Sequence, residues 1–326
     1  MDYKLLGQTG VQVSRLCFGT MSFGGDADEA AAQEMFSACR DRGINFFDCA
    51  NVYNGGRSEE ILGRFIAGSR DELVITSKCY GPMGDINAGG GNRRHILSAV
   101  EASLKRLGTD RLDVLFMHRW ESRVPLEETL RALEKLVADG KVVYLGASNY
   151  SAWQIAKGLG ISARNGWPRF DVIQPMYSLV KRQVESEILP LATEENLGVI
   201  TYSPIGGGLL SGKYGVGRSP ESGRIMTNSE YIARYSEDWV REVADRFVAY
   251  AADKGVSPVT LAVAWVAGNP AVTAPIIGGR SLRQLDPSLA AAGFDMSEDM
   301  RAEISALSRN PAPATDRLEE QLRGDV

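Results

Sequence analysis

Four side chains that can carry or stabilise a proton stand near the ends of three apolar segments. Asp48, Lys78 and His118 each end one such segment, and Tyr53 follows Asp48 by five residues. Short apolar runs of this kind indicate buried strands. In α/β proteins, the carboxyl ends of parallel strands are where ligands bind and where chemistry takes place. We therefore expect these four side chains to lie in one site.

Together these residue types suit the reduction of a carbonyl group. A tyrosine hydroxyl has an ordinary pKa of about 10, and a neighbouring ammonium such as Lys78 lowers it. Asp48 supplies the counter-charge that a buried Lys78 needs. A neutral His118 can hydrogen-bond a carbonyl oxygen and share its developing negative charge. Such a device protonates an oxyanion as it forms, while the hydride has to come from a cofactor.

Each residue also has an ordinary structural interpretation. Asp48 can cap a strand end, Lys78 can extend along the surface, Tyr53 can be a loop aromatic, and His118 can be a hydrogen-bonded structural histidine. Taken singly, these interpretations are as good as the catalytic one. Three consecutive strand ends that supply Asp, Lys and His, with Tyr53 just beyond the first, favour catalysis.

The elements that must position these residues alternate between strand and helix without a break in composition. Eight strand–helix units predict a (β/α)8 TIM barrel with an N-terminal β-hairpin cap at 3–13 and a long polar loop at 203–235 after strand seven. The predicted strands are 15–19, 44–47, 73–78, 112–117, 142–147, 171–174, 197–202 and 274–278. A doubly wound sheet is the alternative, but residues 16–22 lack its dinucleotide fingerprint. We expect one domain over 1–326.

Helical periodicity and capping residues predict the helices between these strands. Ser58 is the expected N-cap of the second helix, and His95 is expected to be solvated beside two arginines. The predicted helices are 28–42, 58–65, 93–107, 126–139, 151–160, 185–196, 239–254, 258–268, 281–291 and one in the tail from 297, before a charged end.

Composition limits the classes of partner. The formal net charge is −5, which argues against a nucleic-acid groove and gives no polybasic membrane patch. No apolar run approaches the roughly 20 residues of a membrane span, and the N-terminus has no signal-peptide layout. Four cysteines without metal-ligand spacing and only two histidines predict free thiols, a cytoplasmic location and no metal site.

These motifs carry a family resemblance that covers almost the whole chain. The spacing of Gly43, Asp48, Tyr53 and Gly63, followed by Lys78, His118, Gln174 and the segments 146–149 and 202–213, resembles the aldo-keto reductase family. The resemblance implies a (β/α)8 barrel that binds an extended nicotinamide dinucleotide without a Rossmann motif. It also implies reversible, NADPH-dependent reduction of a small aldehyde or ketone, with Tyr53 as general acid.

The resemblance further implies roles for other residues. For the nicotinamide end it implies that Ser148, Asn149 and Gln174 hold the carboxamide while Tyr202 stacks on the ring. For the pyrophosphate it implies Ser203, Pro204, Ile205, Gly206, Gly207 and Lys213. Arg280 and Gln284 then meet the adenosine end, and the remaining cofactor contacts are Thr20, Met21, Asp48, Gly278 and Ser288. The implied substrate contacts are Phe23, Tyr53, His118 and Trp120.

The sequence departs from the family pattern near its end. Pro287 and Ser288 stand where the family usually has an acidic residue and an asparagine. Arg280, and with it Arg283, can still pair with a 2′-phosphate, because a guanidinium suits that group. We therefore expect NADPH to be preferred and NADH to be usable. The alternative function is a nicotinamide-binding regulatory subunit of a channel or other complex. Such subunits tend to lose a catalytic residue, and all four are present here.

Overall fold

The computed structural model describes residues 1–319 and contains a closed barrel of eight parallel strands. The strands are β1 (Tyr3–Leu5), β2 (Gln12–Ser14), β3 (Cys17–Gly19), β4 (Phe46–Asp48), β5 (Val74–Cys79), β6 (Leu112–Met117), β7 (Val142–Ser148), β8 (Phe170–Gln174), β9 (Gly198–Thr201) and β10 (Ala274–Ile277). Strands β1 and β2 form a separate hairpin. The order of the other strands around the barrel is β10-β3-β4-β5-β6-β7-β8-β9. The predicted barrel and N-terminal hairpin are confirmed, and the open-sheet alternative is wrong.

The hairpin closes the end of the barrel at which the strands begin. Its strands pair antiparallel, and the side chains of Leu6 and Val13 are fully buried against the barrel interior. Gly7 packs so closely on the start of β9 that a Cβ atom would lie 2.5 Å from the nitrogen of Gly198. Lys4 Nζ also donates to the Val272 carbonyl at 2.8 Å. The carboxyl ends of the strands, with the four predicted catalytic residues, therefore stay open.

The barrel interior is filled by side chains that alternate along the strands, as in other barrels of this type. The interior cluster contains Cys17, Phe46, Val114, Phe116, Val172, Ile200 and Ala274. Space for the Phe116 ring comes from Gly146 on β7, where a Cβ atom would lie 2.4 Å from the ring. A larger cluster of buried apolar residues joins the outer faces of the strands to the helices.

The helices surround the barrel. They are α1 (Glu29–Asp41), α2 (Arg57–Ile66), α3 (Arg93–Leu107), α4 (Leu126–Ala138), α5 (Ala152–Asn165), α6 (Ile188–Glu194), α7 (Arg224–Thr227), α8 (Ser229–Arg234), α9 (Asp238–Asp253), α10 (Pro258–Ala267), α11 (Leu282–Leu289) and α12 (Glu298–Ala306). The tail helix is α12, capped by Ser297. The charged end was predicted to follow it, and positions 320–326 of that end lie outside the described residues.

Two predictions about single residues are wrong. Ser58 is not an N-cap: α2 begins one residue earlier, after Gly56 with φ 94°, and Ser58 Oγ instead donates to the Thr20 carbonyl at 2.8 Å. His95 is not solvated: it is buried on α3, and its Nε2 atom has no hydrogen-bond partner within residues 1–319. Burial lowers the pKa of His95. In both cases tertiary packing overrides the local pattern.

The segment 203–235 is not a plain loop. It contains a 3-10 turn at Gly206–Ser211 and the short helices α7 and α8. Asn228 starts α8, because its side chain accepts hydrogen bonds from the amides of Glu230 and Tyr231. Helices of four and six residues are too short to show helical periodicity. Among residues 1–319, no helix is both long and apolar enough to cross a membrane.

Candidate active site

The Lys78 ammonium lies at the centre of the candidate site and is fully buried. It donates to Asp48 Oδ2 at 2.5 Å, to the Cys49 carbonyl at 2.6 Å and to the Tyr53 hydroxyl at 3.3 Å. These three bonds use all the donors of a lysine. Burial disfavours its charge, but Asp48 and then Tyr53 outweigh burial, so the pKa of Lys78 is raised. The lysine is therefore a fixed cation beside the phenol.

Asp48 is held from both sides. Its Oδ1 atom accepts a hydrogen bond from Thr76 Oγ1 at 2.7 Å and another from Gln174 Nε2 at 2.9 Å. Thr76 and Lys78 are two residues apart on β5 and so project from the same face of the strand. Asp48 thus links strands β4, β5 and β8, and its second oxygen is left for the lysine.

Tyr53 lies in the 3-10 turn Tyr53–Gly56 that follows β4. Burial raises its pKa to about 12, and the nearby Lys78 partly offsets this effect. The sequence predicted a lowered pKa for Tyr53, and that prediction is wrong because burial outweighs the effect of the lysine. The phenol is therefore protonated at neutral pH, which is the state that a proton donor requires.

His118 stands directly after β6, and its ring lies edge-on to Tyr53, with 6.2 Å between the ring centroids and 81° between the planes. Burial and then the Lys78 charge lower the pKa of His118 to about 3. Its backbone amide donates to the Cys79 carbonyl at 3.1 Å, which fixes the start of the loop. The imidazole is therefore neutral at pH 7 and can hydrogen-bond a carbonyl oxygen without competing with Tyr53 for the proton.

A second chain of polar groups lies at the ends of β7, β8 and β9. Ser148 Oγ donates to the Gln174 carbonyl at 3.0 Å, and Asn149 Nδ2 donates to Ser148 Oγ at 3.0 Å and to the His118 carbonyl at 2.9 Å. Tyr202 Oη donates to Asn149 Oδ1 at 2.7 Å. These hydrogen bonds are connected to the candidate catalytic residues, because the Gln174 side chain donates to Asp48.

This donor set fits a nicotinamide carboxamide, which needs both a donor and an acceptor. Gln174 Nε2 donates to Asp48, so the atom of this side chain that could accept from a carboxamide is its oxygen Oε1. The polar atoms of Asn149 are already paired within the protein, so its contact would require an exchange of partners. Asn149 and Ser203 have φ values of 58° and 61°. Left-handed backbone at non-glycine residues is uncommon and gathers at functional sites.

The segment expected to hold the pyrophosphate follows β9 and reaches toward the end of β10. Lys213 is exposed, and no ion pair is formed by it within residues 1–319. Arg280 is 3.1 Å from Asp26, with 42% of its side chain exposed, and its charge acts on Tyr214, the neighbour of Lys213. Gln284 accepts a hydrogen bond from the Arg280 backbone at 3.2 Å. Lys213 and Arg280 are therefore two exposed cations, in the segments that follow β9 and β10.

Other predicted contact residues have different degrees of access. Thr20 is buried, and its hydroxyl donates to the Asp48 carbonyl, whereas Met21 beside it is partly exposed. Ser288 is buried within α11, which continues through Pro287. Phe23 has no exposed surface and packs against Phe18 and Phe65. A ligand contact at Phe23 would thus require rearrangement. Among the remaining predicted contact positions, Ser203, Ile205 and Gly207 are partly exposed and Gly278 is exposed, whereas Pro204 and Gly206 are buried.

The rim of the cleft contains charged residues that the sequence argument did not single out. A cavity of about 450 Å³ is lined by Arg119, Trp120, Asn149, Glu230 and Arg234. Arg119 follows His118 directly, and this adjacency was a usable signal. Glu230 and Arg234 come from α8, whose return to the barrel mouth left no sequence pattern. Thr76 was missed as well, although its alternation with Lys78 pointed to it.

Within residues 1–319, no group of three or more His, Cys, Asp or Glu residues is arranged to hold a metal ion. The cysteines Cys17, Cys39, Cys49 and Cys79 are all buried and free. Burial raises the pKa of the Cys49 and Cys79 thiols to about 12. Thiolate chemistry at these positions is therefore disfavoured.

Comparison with known proteins agrees with this geometry. The family model described as the aldo/keto reductase family matches residues 15–309. The chain is 35% identical to an uncharacterized oxidoreductase, YrpG, of Bacillus subtilis, over 97% of this chain and 98% of that protein. It is 38% identical to a probable voltage-gated potassium channel subunit beta of Arabidopsis thaliana, over 89% and 91%. It is 33% identical to norsolorinic acid reductase of Aspergillus flavus, over 92% and 79%.

Members of this family generally use nicotinamide cofactors and reduce carbonyl groups. The barrel, the strand-end residues and the extent of the match lead to one conclusion. The chain belongs to the aldo/keto reductase family and is an oxidoreductase.

Proposed function

We propose that this protein is an NADPH-dependent reductase of aldehydes or ketones in which Tyr53 is the general acid. The observation that carries the proposal is the chain of contacts from Asp48 through the Lys78 ammonium to the Tyr53 hydroxyl, 3.3 Å from Lys78 Nζ. His118 adds a neutral ring beside the phenol. A protonated acid, a fixed cation and a neutral hydrogen-bonding group in one cleft suit carbonyl reduction.

A bound nicotinamide cofactor would supply the hydride that adds to the carbonyl carbon. His118 hydrogen-bonds the substrate oxygen and orients it toward Tyr53. As charge develops on that oxygen, the Tyr53 hydroxyl transfers its proton there and leaves a phenolate. The Lys78 cation stabilises the phenolate at short range, and Asp48 keeps the lysine in place. In alcohol oxidation the same groups run in reverse, with the phenolate as general base.

The cofactor would be held along the strand ends from β7 to β10. Ser148, Asn149 and Gln174 would bind the carboxamide, and the Tyr202 ring would lie against the nicotinamide. The segment from Ser203 to Gly207 with Lys213 would take the pyrophosphate, and Arg280 the adenosine phosphate. The exposure of Arg280 and Lys213 supports this arrangement. We propose that NADPH is preferred and that NADH is usable, since adenine contacts at 287 and 288 depart from the family pattern.

A regulatory channel subunit is the second candidate, because one relative is named as a probable potassium channel subunit beta. The assembled Asp48, Tyr53, Lys78 and His118 favour the enzyme. A binding subunit would take up NADPH without turning over any of a panel of aldehydes, ring ketones and sugars.

Four free cysteines also support a cytoplasmic location, where thiols stay reduced.

The experiment that tests the proposed function is the substitution Tyr53→Phe. It removes only the phenolic proton donor and keeps the ring. We expect kcat for aldehyde reduction to fall by about 10²–10⁴-fold, with the Kd of NADPH nearly unchanged in a fluorescence titration. Phe65→Tyr, which adds a hydroxyl to a partly buried aromatic ring, is the control for nonspecific damage. A loss of kcat smaller than tenfold would exclude Tyr53 as the acid.

A further inference from the structure

The rim of the catalytic cleft carries more positive than negative charge. Two arginines and one glutamate line the cavity of about 450 Å³ beside Trp120 and Asn149. Arg119 Nη2 is 3.4 Å from Glu230 Oε1, and both side chains are about 60% exposed, at 59% and 61%. A single long contact between exposed groups is weak and exchangeable. Glu230 therefore forms only a weak ion pair with Arg119.

The second arginine, Arg234, has no carboxylate within 4.0 Å anywhere in residues 1–319. Its guanidinium lies over two aromatic rings, 4.7 Å from the Tyr231 centroid and 5.9 Å from the Tyr202 centroid. Such stacking holds a guanidinium in place while leaving its N–H donors free at the edges. Arg234 is thus an ordered cation without a counter-ion.

Arg119 adjoins a residue of the candidate catalytic group, and Arg234 adjoins Tyr202. Arg119 is next to His118 in the chain, and the His118 carbonyl accepts the Asn149 side-chain amide at 2.9 Å, which fixes the peptide between them. Burial raises the pKa of the Tyr202 hydroxyl, and the positive charges of Arg234 and Arg119 oppose that effect. Deeper in the cleft, Lys78 is neutralised by Asp48. The excess positive charge therefore sits at the rim and not at the acid.

The same cavity is also lined by an aromatic side chain, Trp120. The Trp120 ring makes edge contacts with Tyr150 and Trp153, at centroid distances of 5.3 and 5.5 Å. Aromatic side chains in a cavity favour contact with the apolar part of a ligand, and a guanidinium pairs with carboxylate or phosphate oxygens. We propose that Arg119 and Arg234 form a subsite for an anionic group of the substrate. The preferred substrates are then carbonyl compounds that carry a carboxylate or a phosphate, with Glu230 displaced from Arg119 when they bind.

This inference rests on the proposed function, and its test uses matched substrates. The probes are 3- and 4-formylbenzoate with their methyl esters, 4-formylphenyl phosphate, and succinic semialdehyde with butanal. We expect kcat/KM of the wild type to favour the anion in at least one pair by about ten- to a hundredfold, the value of a charge-assisted hydrogen bond. The phosphate and carboxylate arms decide which anion is preferred.

Variants connect that preference to the two arginines. Arg119→Met and Arg234→Met should each reduce the anion-to-neutral ratio of kcat/KM about tenfold, while Glu230→Gln should increase it because the competing carboxylate is gone. Arg164→Met is the control, since Arg164 is an exposed arginine on α5 that pairs with Glu127. Thermal melting of every variant verifies folding.

Two outcomes would overturn the inference. One is a wild-type ratio of kcat/KM at or below one in every pair. The other is an unchanged ratio in both arginine variants, and if NADPH binding were then tenfold weaker, the arginines would be assigned to the cofactor. Absence of turnover with every neutral and anionic probe would instead count against the proposed function.

Discussion

At the scale of single residues, the candidate site depends on one buried cation whose three donors have fixed partners. Lys78 joins a carboxylate, a backbone carbonyl and a phenol, so it both stabilises the loop after β4 and acts on Tyr53. An unpaired buried ammonium would be too costly to keep charged. Asp48 is therefore as necessary to the site as the lysine, although it does not touch the phenol.

Replacing Lys78 should change the pH dependence as well as the rate. The cation now lowers a Tyr53 pKa that burial has raised to about 12. In Lys78→Met this opposing effect is lost, so the pKa of Tyr53 rises further. Alcohol oxidation needs the phenolate and therefore declines as pH falls below that pKa. We expect its acidic limb to move to higher pH in profiles of kcat/KM with NADP+.

The control for this substitution is Lys157→Met, because Lys157 is exposed on α5. Its profile should superimpose on that of the wild type. If the limb of Lys78→Met stayed in place while the rate fell, Lys78 would be a structural residue only.

Under the proposed function, we expect cofactor choice to depend mainly on a single side chain, Arg280. Arg280→Ala should weaken NADPH by about ten- to a hundredfold, because a charge-assisted contact with the 2′-phosphate contributes roughly 1.5–3 kcal/mol. NADH, which lacks that phosphate, should bind almost as before. Paired fluorescence titrations measure both dissociation constants. Arg164→Ala, at an exposed arginine on α5, is the control, and equal weakening of both cofactors by Arg280→Ala would remove Arg280 from the phosphate site.

At the scale of elements, a buried polar network links α2 and α3 to the strand that carries Lys78. Glu59 on α2 is fully buried, accepts a hydrogen bond from Ser77 Oγ at 2.5 Å and pairs with Arg106 Nε at 2.7 Å. Ser77 is the immediate neighbour of Lys78 on β5. The network therefore fixes how the outer helices meet the strand just below the site.

Removing Glu59 should destabilise the protein strongly. Glu59→Ala leaves Arg106, whose side chain is only 19% exposed, without its partner. Breaking a buried pair in this way typically costs about 3–5 kcal/mol of unfolding free energy. Glu60→Ala, one residue away, breaks an exposed pair with Arg57 and should cost less than about 1 kcal/mol. Urea unfolding of the cofactor-free protein measures both, and equal costs would show that Glu59 is not a structural link.

At the scale of the whole molecule, the barrel is closed by matching large and small side chains across its interior. Gly146 on β7 leaves room for the Phe116 ring of β6, its neighbour in the barrel. Shifting the strand backbone or the aromatic ring would cost unfolding free energy, since protein interiors are close-packed. The geometry of the strand ends, and so of the site, depends on this filling.

Gly146→Ala tests that dependence. A Cβ atom 2.4 Å from the Phe116 ring would force the ring or the strand to shift. We expect a loss of about 1–3 kcal/mol of unfolding free energy, as for other overpacked cores. Gly160→Ala is the control, because that helical position on α5 has open space and should gain up to about 1 kcal/mol. Thermal and urea unfolding report both changes, and a neutral Gly146→Ala would contradict the packing argument.

The amino-acid sequence alone determined the barrel, its strand order along the chain and the strand-end positions of Asp48, Lys78 and His118. It could do so because a period-two or apolar strand pattern and a helical period are local properties. The position of Tyr53 in the loop after β4 followed from the same local count. The predictions for Ser58 and His95 were wrong because the carbonyl that accepts from Ser58 and the packing that buries His95 belong to elements distant in the chain.

Only the tertiary structure decided the electrostatics of the site and the make-up of its rim. The pKa of Tyr53 depends on how deeply the phenol is buried relative to Lys78, and burial is a property of the closed barrel. Arg234 reaches the cleft because α8 folds back over Tyr202, a contact between residues 32 apart in the chain. Local patterns record which face of an element is apolar, whereas such contacts arise only when the elements pack.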